Sequence, residues 1–210
     1  MTERAPPRST ARTIRILLWV LVALAAAGAA ALLLIPRKPL VSPPATTTAA
    51  TPASFGGPFT LLDGTGKAFS SQALAGKPYA IYFGFTRCGD VCPTTLARLV
   101  KLRRQVASDQ ALRIVFVTID PANDGPKEVG QYAGLFNAPI IGLTGSKAQI
   151  DQVKKQFGIF AEPAPHAAMG KEMDHTATVL LFDRAGKFAG TIAPDESDAA
   201  AAAKLKALVG

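Results

Sequence analysis

The chain has 210 residues, 49% of them hydrophobic, and a formal net charge of +8, which is enough apolar material for one real core. The charge would suggest a nucleic-acid binder, but it is not spread over the chain: Arg4, Arg8, Arg12, Arg15, Arg37 and Lys38 face only Glu3 in the first 38 residues. The remainder carries 17 basic and 14 acidic residues, an ordinary solvated surface, so nucleic acid is excluded as a partner.

Residues 1–15 form a basic tail, and Ile16 to Ile35 follow as 20 residues without a charged or strongly polar side chain. At about 1.5 Å per residue such a run spans roughly 30 Å and is expected to cross a bilayer as a helix. Four arginines precede it, whereas only Arg37 and Lys38 follow before Lys67, so the N-terminus is expected in the cytoplasm and the rest outside. A cleaved signal peptide is the alternative, because Ala25 to Ala31 offers small residues, but the run exceeds the roughly 7 to 15 residues of a usual signal core. Both readings export the remainder of the chain. Residues 36–55 are rich in Pro, Thr and Ala and read as an extended tether, leaving one folded domain over residues 56–210.

In that domain strand and helix patterns alternate, the mark of an α/β fold. Phe59 to Asp63 and Lys67 to Phe69 flank a Gly64-Thr65-Gly66 turn as a short hairpin. Tyr79 to Phe85 is apolar throughout, as a strand buried on both faces must be, and Leu112 to Ile119 repeats that character. Between them Leu96, Leu99, Val100 and Leu102 mark a helix over Pro93 to Val106, with the proline suited to its first turn. Ala138 to Leu143 reads as an extended segment and Lys147 to Phe157 as a helix. His175 to Asp183 and Lys187 to Ile192 read as an antiparallel hairpin around Arg184-Ala185-Gly186, and Glu196 to Val209 as a closing helix.

The chemistry is concentrated in Cys88 and Cys92, the only cysteines, which lie between a buried strand and a helix. A thiol at a helix N-terminus sees unpaired amides and the positive end of the dipole, which favour the thiolate, and Arg87 is expected to add to that field. Side chains four apart on a helical turn lie within about 5 to 6 Å at Cβ, close enough to bite one metal ion or to form a disulfide. A disulfide closing so short a loop stabilises little, so reactivity explains the pair better than stability. Only two histidines occur, and His175 opens a predicted strand beside Asp174, which is placed to orient the ring. Two thiolates and an imidazole make a soft three-donor set suited to Cu(I) and able to hold Cu(II), whereas zinc would usually want a fourth donor.

The segments Tyr82-Phe83-Gly84-Phe85-Thr86 before Cys88-x-x-x-Cys92-Pro93, Thr118-Ile119-Asp120-Pro121 with Asp124, Gly142-Leu143-Thr144-Gly145 and Asp174-His175-Thr176 together resemble the Sco/SenC family. The resemblance implies a thioredoxin-like fold on a single N-terminal membrane helix, with Cys88, Cys92 and His175 as copper ligands. It implies a metallochaperone for cytochrome c oxidase, delivering copper to subunit II or keeping the cysteines of its dinuclear site reduced. The implied location is a bacterial-type inner membrane with the domain on the periplasmic side. Where many members have His and Pro, this chain has Arg87 and Gly89, which alters the field and stiffness of the thiol loop. The competing reading is a thiol-disulfide oxidoreductase in which Cys88 and Cys92 are the catalytic thiols. Peroxide reduction ranks last, because Thr86-Arg87-Cys88 lacks the Thr-x-x-Cys spacing. Asp120 and Asp124 follow a central strand and are read as turn and capping residues, with support of the metal loop as the alternative. His166, Met169 and Met173 lie in a loop before His175 and, if not incidental, gather or hand over copper through soft donors.

Overall fold

A computed structural model of the chain describes residues 14–16, 18–22, 24, 55–163 and 173–210, with Pro163 and Asp174 described by their main chain. The chain divides into two compact units, residues 1–49 and 50–210. The second unit is built on β3 (Tyr79–Gly84), whose six residues are all buried, as a continuous apolar strand requires when both faces are covered. β3 runs parallel to β4 (Arg113–Thr118), and β4 parallel to β5 (Ile140–Thr144). The outer strands are antiparallel: β1 (Thr60–Asp63) joins β5 and β2 (Ala68–Ser70) joins β1 on one side. On the other, β8 (Val179–Phe182) joins β3 and β9 (Phe188–Ile192) joins β8. The order of this seven-stranded sheet is β2-β1-β5-β4-β3-β8-β9.

Helices α1 (Val91–Val106) and α2 (Pro126–Gly134) cover one face. The Tyr132 ring of α2 stands 5.0 Å from Phe116 of β4. Gly142 lets α2 lie close on β5, since a Cβ there would come within 2.5 Å of the Val129 carbonyl oxygen. On the opposite face α3 (Lys147–Gln156), started by a Ser146–Gln149 capping box, delivers Phe157 to an aromatic cluster 5.5 Å from Phe83 and 5.6 Å from Phe182. The closing helix α4 (Asp198–Val209) packs along α1 and is fastened by Arg98 to Asp198 at 2.8 Å.

The expected α/β character and the strands and helices on either side of the thiol loop are borne out. Helix α2 was not expected, although Pro126 at its start and Val129, Tyr132 and Ala133 on its buried side carry a helical pattern, which Gly130 and Gly134 interrupt. The single strand expected from His175 to Asp183 is two. β7 (Met173–His175) pairs with β6 (Ala161–Pro163) in a separate two-stranded sheet, and only β8 enters the main sheet. Thr176 fixes the changeover, its amide donating to the Phe160 carbonyl at 3.0 Å and its hydroxyl accepting the Phe160 amide at 3.1 Å.

Of the expected membrane-spanning run, residues 16, 18–22 and 24 are described, and they are helical. No helix among the described residues is long and apolar enough to cross a membrane. The remainder of the run, the tether up to residue 54, His166 and Met169 lie outside the described residues.

Candidate metal centre

The C-terminal end of β3 carries the chain into a turn in which the Cys88 amide donates to the Phe85 carbonyl at 3.3 Å. Helix α1 then begins at Val91 without a side-chain cap from Asp90. Its open amides find another acceptor: the Cys92 N–H donates to the Cys88 sulfur at 3.3 Å. The first cysteine thus occupies the anion-attracting end of the helix, as the strand-to-helix position predicted.

Cys92 is the second residue of α1 and is fully buried. Space for its sulfur comes from Gly84, where a Cβ would lie only 2.8 Å from Cys92 Sγ. Burial, followed by the hydrogen bond with Cys88, pushes the Cys92 thiol up to about 12. The dipole argument therefore fails for this cysteine, because desolvation of the charged form outweighs the helix field. Arg87 does not strengthen that field as expected either: its guanidinium is paired with Asp120 at 2.6 Å.

His175 arrives from β7, its ring edge-on to Tyr82 at 6.2 Å and to Phe85 at 5.9 Å. Its Nδ1 lies 3.1 Å from the Thr176 carbonyl oxygen, and its Nε2 lies 3.6 Å from Cys92 Sγ. A carbonyl oxygen only accepts, so this contact assigns the proton to Nδ1 and turns the Nε2 lone pair toward the sulfurs. The ring is oriented by a main-chain carbonyl where a carboxylate from Asp174 was expected, and the Asp174 side chain lies outside the described residues. The donor atoms of Cys88, Cys92 and His175 all lie within 4.8 Å of one another, the one such cluster among the described residues.

Of the other residues singled out, Met173 lies on β7, partly buried against the core. Asp120 does hold a turn, accepting the Asn123 side-chain amide on both carboxylate oxygens at 3.0 Å. Asp124 is not a helix cap, since the residue that starts α2 is Gly125. Gly84 and the rings of Tyr82 and Phe85, which shape the site, were not singled out for it. An isolated glycine inside an otherwise bulky buried strand was the available signal, as it marks a close approach.

The two thiols differ enough to be told apart chemically. Cys88 is half-buried and Cys92 is sealed in the core with a raised thiol pKa. Alkylation of the reduced protein at pH 8 is expected to modify Cys88 first, with Cys92 slower by about a hundredfold or more, since only the thiolate reacts. Peptide mapping of the first adduct checks this, and equal labelling of both residues in the folded protein would contradict the burial assigned to Cys92.

The SCO1/SenC family model matches residues 47–210. Protein sco1 of Schizosaccharomyces pombe is 37% identical over 139 residues, which are 63% of this chain and 52% of that protein, so the chain spans about half its length. The structure of Bradyrhizobium japonicum ScoI with copper bound is 36% identical and superposes with a TM-score of 0.66, covering 74% of this chain and 99% of that one. Yeast Sco1 with copper bound is 31% identical with a TM-score of 0.64, covering 72% of this chain and 86% of the other.

Proposed function

The chain belongs to the SCO1/SenC family, and on that premise we propose that it is a metallochaperone whose cargo is copper, held by Cys88, Cys92 and His175. The observation that carries the reading is the convergence of two sulfurs and an imidazole nitrogen within 4.8 Å. Two soft thiolates with one neutral imidazole suit Cu(I) and tolerate Cu(II), and relatives more than 30% identical have been solved with copper bound. The recipient is the dinuclear copper site of cytochrome c oxidase subunit II, which the protein loads with copper, keeps reduced at its cysteines, or both. The chain is anchored through residues 16–35, with residues 1–15 cytoplasmic, residues 36–55 as tether and residues 56–210 on the periplasmic side. The unbroken apolar run and the arginines ahead of it support this topology.

A second reading, thiol-disulfide exchange without copper, is favoured by one feature. An accessible Cys88 at a helix start followed by a buried Cys92 is the arrangement of an attacking and a resolving thiol.

Titration of the full-length protein with Cu(I) against a competing chelator tests the first reading. One copper per chain is expected. Affinity should rise with pH, by about tenfold per unit for each proton displaced, because the Cys92 thiol remains protonated below about 12 and copper must expel that proton. Copper content unaffected by Cys88→Ser together with Cys92→Ser would overturn the assignment.

A further inference from the structure

The loop that carries Cys88 is tied at one place to a fully buried carboxylate. Asp124 has no exposed surface. Its Oδ1 accepts the Thr86 hydroxyl at 2.6 Å, and its Oδ2 accepts both the Thr86 amide at 2.9 Å and the Thr118 hydroxyl at 2.6 Å. The Asp124 carbonyl accepts the Thr144 hydroxyl at 2.6 Å. One residue therefore gathers the C-terminal ends of β4 and β5 and the first residue of the thiol loop after Phe85. The nearby Arg87–Asp120 pair makes a second tie, but Arg87 is 40% exposed, so solvent screens the pair and it holds the loop weakly. Buried bonds to a carboxylate are roughly twice as strong as neutral ones and are costly to leave half-made.

Of the three donors, Cys92 is fixed by a helix and the core, and His175 by a strand and a main-chain carbonyl. Cys88 alone hangs on a loop. We propose that Asp124 is a positioning residue that, through Thr86, holds Cys88 in the open dithiol arrangement that receives copper and opposes its collapse onto Cys92. This rests on the copper-site reading above, but its consequence extends to the copper-free protein. Disulfide formation must bring the sulfurs to about 2.05 Å. With oxidised glutathione the reaction is dithiol plus one glutathione disulfide giving the Cys88–Cys92 disulfide plus two glutathione thiols, with two electrons and two protons passed to the glutathione. A clamp on Cys88 shifts that balance toward the dithiol.

The experiment measures this equilibrium in copper-free full-length protein across glutathione buffers, with Cu(I) affinity and melting temperature measured alongside. Thr86→Val and Asp124→Asn are each expected to shift the equilibrium at least tenfold toward the disulfide, about 30 mV, and to weaken Cu(I) binding about tenfold. The double variant should go no further than Asp124→Asn alone, since Thr86→Val cuts one of the two bonds, the hydroxyl one, that the carboxylate accepts from Thr86. Thr118→Val removes a bond to the same carboxylate on the core side, so it should lower the melting temperature and leave the equilibrium unchanged. If Asp124→Asn does not fold, Thr86→Val, which keeps the carboxylate, decides alone. An equilibrium unchanged in Thr86→Val, or shifted equally by Thr118→Val, would overturn the proposal. A parent protein that binds no copper would instead sink the chaperone reading, and the thiol equilibrium would still test the clamp.

Discussion

Replacing His175 with alanine is expected to weaken Cu(I) binding by about 100- to 1,000-fold, about 3 to 4 kcal/mol, while leaving disulfide exchange within about threefold of the parent. The asymmetry follows from what the imidazole does in each role. Nε2 faces the sulfurs because Nδ1–H is committed to the Thr176 carbonyl at 3.1 Å, so a lone pair is already aimed at the position a metal would take. Removing the ring leaves two thiolates, which bind copper without the third donor that closes the site. Exchange needs only that Cys88 attack and Cys92 resolve, and neither sulfur depends on His175 for its place. Cys88 is held by the helix-start amide of Cys92, and Cys92 by the packing around β3. Chelator competition gives the affinity, and reduction of a mixed-disulfide substrate gives the exchange rate. Unchanged copper affinity would remove His175 from the ligand set, and a parallel collapse of exchange would make the histidine part of the thiol chemistry.

The same contrast shows what was legible in the residues and what was not. The cysteines were readable because their place between an apolar run and a helical pattern set them on a strand-to-helix turn, and β3 and α1 lie where that pattern put them. His175 was readable as a donor because few imidazoles were available, but its setting was not. The residues from His175 to Asp183 read as one strand until Thr176 bonds to Phe160, a pairing made 16 residues away that local pattern does not encode. The raised pKa of the Cys92 thiol was hidden for a similar reason. Both cysteines share a helix start in sequence, yet burial is a property of the packed core, and desolvation overrides the dipole at Cys92. Helix α2 was concealed by two glycines, of which Gly130 is there for contact, since a Cβ on it would stand 3.0 Å from the Gly64 Cα and 3.1 Å from the Gly64 carbonyl oxygen.

Gly84 is the position where the packing of the fold and the placement of a donor atom become a single constraint. A Cβ at Gly84 would stand 2.8 Å from Cys92 Sγ, 3.1 Å from Tyr82 Cε1 and 3.2 Å from Phe116 Cε2. The strand cannot retreat, because β3 is hydrogen-bonded between β4 and β8 and the Gly84 carbonyl accepts the Ile119 amide at 2.8 Å. Two of the three neighbours are rings set in the core, so the atom that must give way is the sulfur. Gly84→Ala is therefore expected to destabilise the protein by about 1 to 3 kcal/mol, the usual cost of overpacking a close-packed interior. It should also weaken Cu(I) binding by about tenfold or more, since a displaced Cys92 no longer meets Cys88 and His175 in register. The cause can be isolated by a double-mutant cycle. With Cys92→Ala already in place the offending atom is gone, and the further cost of Gly84→Ala in denaturant unfolding should fall to less than half. An equal cost in both backgrounds would mean that the rings of Tyr82 and Phe116, and not the cysteine, demand glycine at this position.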